Sequence, residues 1–373
     1  MCKFIGLVAP VFVAITLPAI TIAESSPQSA GKPLRVAVVG LVHGHVAGFL
    51  RTALKRSDIQ IVGIAEPDQQ LAHRYTNEFT LDSQLLYSDV EQMLTTVQPQ
   101  AVLVYTDTRD HRRIVEAAAR HRIPVMMEKP LAVSVEDALT IKRAADAAHI
   151  PVLVNYETTW YPSNTAVYNL VRDGTLGDVR KVVVHDGHKG PKEIGVPPEF
   201  LSWLTDPSRN GAGALFDFGC YGADLMTWLM QGAAPITVTA VTQQLKAEIY
   251  PHVDDEATVI LTYAKAQAIL QASWNWPFDR KDMEVYGETG EAITVRRDDL
   301  RVRRNGDNQE QQQSAPALTP PYNDSIAYLI AVVSQEIQPS GLSALDTNVT
   351  VVRILDAARE SARTGRTIRI ADR

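Results

Sequence analysis

Between residues 34 and 155 short apolar runs alternate strictly with segments of helical spacing. Strand-then-helix alternation with short connections restricts such a chain to a parallel sheet, wound right-handedly with helices on both faces. The first run, Leu34-Arg35-Val36-Ala37-Val38-Val39-Gly40, is apolar almost throughout and ends in glycine, as a strand buried on both faces does. Helical spacing follows over 41–55, carried by Val46, Phe49, Leu50, Ala53 and Leu54. Further strands are predicted at 59–65, 101–105, 124–127 and 152–154, with helices at 69–79, 90–97 and 109–121 between them. Ser134, with Asp137 three residues on, caps another helix running to Ala148. The fourth strand ends Val125-Met126-Met127-Glu128-Lys129-Pro130. An acid and a base at the carboxyl end of a central parallel strand lie in the crevice where open α/β sheets bind ligands. Lys129 is therefore a candidate for chemistry.

The first strand-to-helix turn reads Gly40-Leu41-Val42-His43-Gly44-His45. A dinucleotide fingerprint would place glycine at 40, 42 and 45, and this chain keeps only the first. Glu66 stands at the end of the second strand, where a carboxylate accepts bonds from an adenosine ribose and repels a 2′-phosphate, favouring NAD over NADP. The expected cofactor contacts are Gly40, Val42, His43, Gly44 and His45 in the turn, then Glu66, Thr106, His111, Glu128, Lys129 and Pro130. His43 and His45 suit donation to a pyrophosphate. With no third ligand nearby in the sequence, no metal site is predicted from the pair. His111 opens a helix and reads as a capping or packing residue on the nicotinamide side.

After Asn155 the texture changes. One helix over 161–172 precedes runs of period-two alternation at 180–185, 236–245, 257–263, 268–274, 283–286, 292–295 and 300–303, separated by tight turns. These are marks of an antiparallel sheet with one face covered. Helices at 324–335 and 345–364 close the chain, the last ended by Gly365. The stretch 211–224 carries Asp217, Tyr221 and Asp224, which share one face if a helix begins near Asp217. The alternative is that Asp217 caps the helix and Tyr221 packs by its ring.

With 373 residues the chain is long enough for about two domains. A formal charge of -7, without a basic stripe, excludes a nucleic-acid backbone as partner. The basic cluster at 296–304 holds acids within it and reads as a solvated hairpin. Two cysteines imply no disulfide framework. Residues 1–23 have the short basic start, apolar middle and small-residue end of a secretory leader, so the protein is expected to be exported, secreted or periplasmic, after cleavage near Ala23. A polar linker at 24–33 follows, and no later segment is apolar enough for a stable membrane span.

Taken together, Gly40 with its strand, Glu66, Glu128-Lys129-Pro130, the run from Asp217 through Gly219 and Tyr221 to Asp224, and the tail at 357–368 resemble the Gfo/Idh/MocA oxidoreductases. The resemblance implies a Rossmann domain at 34–155 and an α+β domain at 156–373 built on a large open antiparallel sheet, whose face suits a homo-oligomer. It implies a nicotinamide enzyme acting on a sugar or polyol, with Lys129 catalytic and Asp217 its partner. Tyr221 stands where many members have histidine, and would share acid/base work with Lys129. Tyr156, Trp160, His188 and Lys189 either line the sugar site or simply pack. Burial should lower the Lys129 pKa and a nearby ammonium that of Tyr221, with Asp217 opposing the first. Export sits beside a cofactor scarce outside the cytoplasm, so the resemblance leaves two other readings open. One is a glycoside hydrolase that oxidises its sugar transiently; the other is an exported, non-catalytic sugar-binding protein.

Overall fold

The computed structural model describes Met1 and residues 32–370. The chain divides into residues 1–32 and 33–373, and the fold belongs to the second unit. The leader expected at 1–23, and nearly all of the linker, lie outside the described residues.

Six parallel strands make the first sheet: β1 (Leu34–Val39), β2 (Ile59–Ala65), β3 (Leu86–Tyr87), β4 (Ala101–Val104), β5 (Val125–Glu128) and β6 (Val152–Asn155). Their spatial order is β3-β2-β1-β4-β5-β6, so the chain reverses direction across the sheet between β1 and β4. Every residue of β4 and β5 is buried, and all but Arg35 of β1. Each apolar side chain so buried contributes roughly 1.5–3 kcal/mol, which is why these strands are continuous rather than alternating.

Helices cover both faces: α1 (Val46–Ala53), α2 (Gln69–Phe79), α3 (Val90–Val97), α4 (His111–Arg120) and α5 (Val135–Ala148). Their starts are fixed by short polar side chains. Asp68 accepts from the Gln70 and Leu71 N–H groups, Asp89 from Gln92, and Ser134 from Asp137. Helix α1 begins five residues later than its apolar spacing suggests. Residues 41–45 are instead a turn, held by the His43 N–H donating to the Tyr105 carbonyl (3.0 Å).

Helix α6 (Pro162–Arg172) leads into the second sheet, which begins with β7 (Val179–Gly187). Four short helices follow: α7 (Pro198–Leu204), α8 (Pro207–Asn210), α9 (Ala214–Asp217) and α10 (Gly219–Leu229). The remaining strands are β8 (Thr237–Gln243), β9 (Glu256–Thr262), β10 (Gln267–Ser273), β11 (Arg280–Gly287), β12 (Gly290–Thr294), β13 (Asp299–Arg304), β14 (Gln311–Ser314) and, after α11 (Ser325–Val333) and α12 (Leu345–Thr364), β15 (Ile368–Arg369). The nine strands run β14-β13-β12-β11-β7-β10-β9-β8-β15. All neighbours are antiparallel except β7 and β10. The sheet is thus antiparallel, as expected, with one parallel pair at its centre. Period-two alternation reports which face is buried, not which way a strand runs. Helices α10 and α12 cover one face of this sheet. Among the described residues no helix is long and apolar enough to cross a membrane.

Candidate active site

Strand β5 delivers Lys129 to the carboxyl edge of the first sheet, and a cis peptide bond joins it to Pro130. Its ammonium donates to Asp217 Oδ1 at 2.5 Å and to the Asp217 carbonyl at 2.8 Å. The other carboxylate oxygen accepts from Trp274 Nε1 at 2.9 Å. The lysine and the aspartate are 88 residues apart and both buried. Asp217 closes α9 and does not open the helix that carries Tyr221, so the single face shared by Asp217, Tyr221 and Asp224 does not form. The break between the helices turns Asp217 toward Lys129. The Lys129 ammonium sits 5.1 Å from the centre of the Tyr221 ring, and the Lys281 ammonium 4.9 Å from the same ring.

The charges here differ from those the sequence suggests. Burial works against the Lys129 ammonium, but the Asp217 carboxylate and its hydrogen bond outweigh it, and the amine lies above its ordinary value. Asp217 is likewise buried yet held below the usual carboxylate range by Lys129, His188 and the Trp274 indole. Tyr221 is pushed well up, first by burial and then by the acids Glu157, Glu128 and Asp217. The predicted lowering of Lys129 and Tyr221 is thus reversed. A buried ion pair favours both charged partners, and a buried phenol among carboxylates keeps its proton.

On one side of this cluster opens a cavity of about 600 Å³, lined by Glu157, Tyr161, His188, Phe218, Lys281 and Arg297 among others. His188 meets the Phe218 ring edge-on at 4.8 Å, and its Nδ1 accepts from the Gly190 N–H at 2.9 Å. Lys281 is paired with Glu157. Three residues predicted to line a sugar site are placed differently. Tyr156 is fully buried, its hydroxyl donating to Asn348 Oδ1 at 2.9 Å behind the Tyr221 ring. The Lys189 side chain is exposed, and its backbone carbonyl accepts from Lys246 Nζ at 2.5 Å. Trp160 donates from Nε1 to Asn155 Oδ1 at 3.0 Å and lines a different cavity of about 490 Å³, shared with His45, Glu128 and Glu157.

The other side holds the residues expected to meet a dinucleotide. Gly40 has φ +83°, and a Cβ there would lie 2.8 Å from the Thr106 amide nitrogen, so no larger residue fits. Glu66 accepts from the Leu41 N–H at 2.7 Å and the Asp68 N–H at 2.9 Å, and burial pushes its carboxyl up. Thr106 donates to the Asp107 carbonyl at 3.0 Å. His111 donates from Nδ1 toward the Pro130 and Leu131 carbonyls, at 3.1 and 3.2 Å, leaving Nε2 buried with no partner among the described residues. Glu128 faces His45 Nδ1 at 3.0 Å through one oxygen and the Asn155 amide at 3.0 Å through the other.

Helix α7 lies over this wall. Phe200 and Trp203 pack on the His43 ring, with centroids 4.8 and 5.5 Å away, and Trp203 Nε1 donates to the Val42 carbonyl at 3.2 Å. A Cβ on Gly44 would meet Phe200 at 2.9 Å. Arg74 pairs with Glu199, and Arg209 with Asp107 at 2.6 Å. The residue types suit a dinucleotide: a carboxylate at the end of β2, a turn that opens on Gly40, and a buried imidazole nitrogen with no partner among the described residues. The segment 198–210 covers them in this conformation.

Sequence reasoning missed Trp274, Lys281, Glu157, Asn155 and the two aromatic rings of α7. No local pattern marks them, because each reaches the site from a different element.

Comparisons with known proteins agree with this architecture. A family model described as "Oxidoreductase family, NAD-binding Rossmann fold" matches residues 34–156, and one described as "GFO/IDH/MocA C-terminal domain" matches 165–293. The trans-1,2-dihydrobenzene-1,2-diol dehydrogenase of Macaca fuscata fuscata is 24% identical over 225 residues, covering 60% of this chain and 63% of that one. The chain thus spans under two thirds of the length of that relative. The D-apiose dehydrogenase of Paraburkholderia graminis is 23% identical over 328 residues and 83% of each chain. An inositol dehydrogenase homolog from Azotobacter vinelandii, solved with NADH and myo-inositol, superposes with a TM-score of 0.77 at 19% identity, over 91% of this chain and 98% of that one. On the two family models, which between them take in most of the Rossmann sheet and much of the second sheet, this chain belongs to the Gfo/Idh/MocA oxidoreductase family.

Proposed function

We propose that this protein transfers a hydride between a sugar or polyol carbinol and a nicotinamide dinucleotide, with Lys129 and Tyr221 handling the proton. The observation that carries this reading is the union of Lys129 from the first sheet with Asp217 and Tyr221 from the second half; Lys281, whose ammonium lies over the Tyr221 ring, and Phe218, next to Asp217 in the chain, line a polar cavity of about 600 Å³. The bound dinucleotide supplies the hydride chemistry; the protein holds the substrate oxygen and its proton. Lys129 and Tyr221 are both protonated in this site, the state that donates to a carbonyl oxygen. Reduction therefore draws a proton from one of them; oxidation runs from the minor form in which that same group has first released its proton to water, and the carbinol proton then restores it, so oxidation should speed up as pH rises. Asp217 fixes the amine in place and keeps it charged. His188, Phe218, Tyr161 and Lys281 supply the polar tips and aromatic faces that suit a polyhydroxylated ligand. The Glu66 carboxylate at the end of β2 supports NAD over NADP, since it would repel a 2′-phosphate.

Relatives named for D-apiose and for scyllo-inositol agree with a polyhydroxylated substrate class. Absorbance at 340 nm, after adding aldoses, polyols and inositols to the protein with NAD, tests the reading. Growth in the signal for one such class is the expected result. Release of a chromogenic aglycone without that signal would move the assignment to a hydrolase. The basic, apolar and small-residue order of residues 1–23 further leads us to infer export, for which amino-terminal sequencing of the mature protein should begin near Glu24.

A further inference from the structure

We propose that His43, His45 and Glu128 form a binding site for one divalent transition-metal ion. One ring nitrogen from each histidine and a Glu128 oxygen lie within 4.8 Å of one another. The sequence separates these residues into a turn after β1 and the end of β5, 83 positions apart, and the parallel pairing through β4 brings the two edges together. An ion with bonds of about 2.0–2.2 Å holds neighbouring tetrahedral ligands about 3.4 Å apart. His45 Nδ1 and Glu128 Oε2 are already at 3.0 Å. The wider separations involve His43, which is buried and whose Nδ1 accepts from the His45 N–H at 3.2 Å, so Nε2 is the nitrogen it would offer; the His45 side chain, 47% exposed, is the ligand with room to adjust.

Two features distinguish the trio from an ordinary hydrogen-bonded pair. First, Glu128 is a buried carboxylate whose sequence neighbour Lys129 is committed to Asp217, so its partners are one imidazole and one neutral amide. Second, the carboxylate is oriented from behind. Asn155 donates to Glu128 Oε1 at 3.0 Å and is itself fixed by Trp160 Nε1 at 3.0 Å, the kind of outer support that metal-ligating carboxylates have. His45 and Glu128 both line the cavity of about 490 Å³ that also takes in Asn155 and Glu157. A bound ion would thus keep a position open to water or to an oxygen of a small ligand. Two imidazoles and one carboxylate select zinc, manganese, iron or cobalt over magnesium and calcium, whose sites are built from oxygen ligands.

This inference does not rest on hydride transfer, and its test uses no dinucleotide. Untagged protein stripped with a chelator and dialysed is titrated with zinc chloride, manganese chloride or magnesium chloride. Metal retained through gel filtration is counted by elemental analysis, and the thermal midpoint is followed in parallel. The expected result is one zinc or manganese per chain and a midpoint raised by several degrees, with neither effect from magnesium. His45→Ala and Glu128→Gln should each weaken binding by at least about tenfold, whereas His73→Ala, at an exposed site on α2, should leave it unchanged. Retention lost equally in all three variants, an equal response to magnesium, or no metal retained by the unaltered protein would overturn the assignment.

Discussion

Two walls meet at the carboxyl edge of the first sheet, and they are built in opposite ways. The wall beneath α7 is aromatic and shut: Phe200 and Trp203 cover His43, and Glu66 spends both oxygens on backbone amides. The wall toward β11 is charged and open, with Lys281, Glu157 and Arg297 around a cavity of about 600 Å³. Lys129 stands between them. On the open side Lys281 reaches the Tyr221 ring from the cavity wall, while on the shut side α7 covers the turn that carries His43. The difference teaches that the two walls are built from separate sets of side chains, so each can be altered without touching the other.

The largest effect should come from the residue both walls share. Lys129→Ala leaves Asp217 buried and unpaired, which costs roughly 3–5 kcal/mol for a buried pair broken on one side and should remove turnover. Urea denaturation checks the first and absorbance at 340 nm the second. Adding Asp217→Ala to Lys129→Ala should recover part of the stability and none of the activity. Because Lys129 is held above and Asp217 below their ordinary values, this pair is intact from above the unfolded aspartate pKa to below the unfolded lysine pKa. It is lost only as pH falls through the folded Asp217 value or rises through the folded Lys129 value, so a change in stability near neutral pH must come from elsewhere.

Asp224, behind the site, should act in the opposite sense. It is fully buried, neither carboxyl oxygen has a hydrogen-bond partner among the described residues, and burial pushes its pKa well up. The folded chain therefore holds a proton that the unfolded chain releases above about pH 3.9, and stability falls as pH rises from there toward the folded value. Asp224→Asn should raise the thermal midpoint, by the equivalent of about 1–3 kcal/mol, and more at pH 8 than at pH 5. An equal gain at both would show that Asp224 is ionised in the fold. A smaller effect belongs to the shut wall. Arg74→Ala removes the ion pair that tethers α7 through Glu199, a contact worth about 0.2–1 kcal/mol. Stopped-flow fluorescence should show NAD associating up to about fivefold faster, with substrate affinity unchanged.

Five strands of the first sheet were legible because strands buried on both faces must be continuously apolar, and Ser134 announced one helix start by its chemistry; the two-residue β3 is too short for a pattern to register. Helix α7 was not legible either, since Pro197 and Pro198 open a seven-residue element too short for periodicity to register. Within the site, the Lys129–Asp217 union was reached through family resemblance, not spacing. Trp274 and Lys281 were invisible, because strands far apart in sequence bring them in. The direction of the Lys129 and Tyr221 shifts was misjudged for a related reason: burial and charge oppose each other there, and only distances decide which wins. The His43, His45 and Glu128 trio shows the same limit, since two residues of a three-ligand set carry no geometry until the third is placed.

The central claim is that an amine from one half and a phenol from the other serve a single hydride transfer. Its most direct test is a single turnover: protein saturated with NAD, mixed with the sugar or polyol that gives the steady-state signal, and followed at 340 nm in the unaltered, Lys129→Ala and Tyr221→Phe forms. The account predicts a burst matching the number of sites in the first, none in the second and a slowed burst in the third, with NAD binding retained in all. A full burst in Lys129→Ala at the unaltered rate would contradict it.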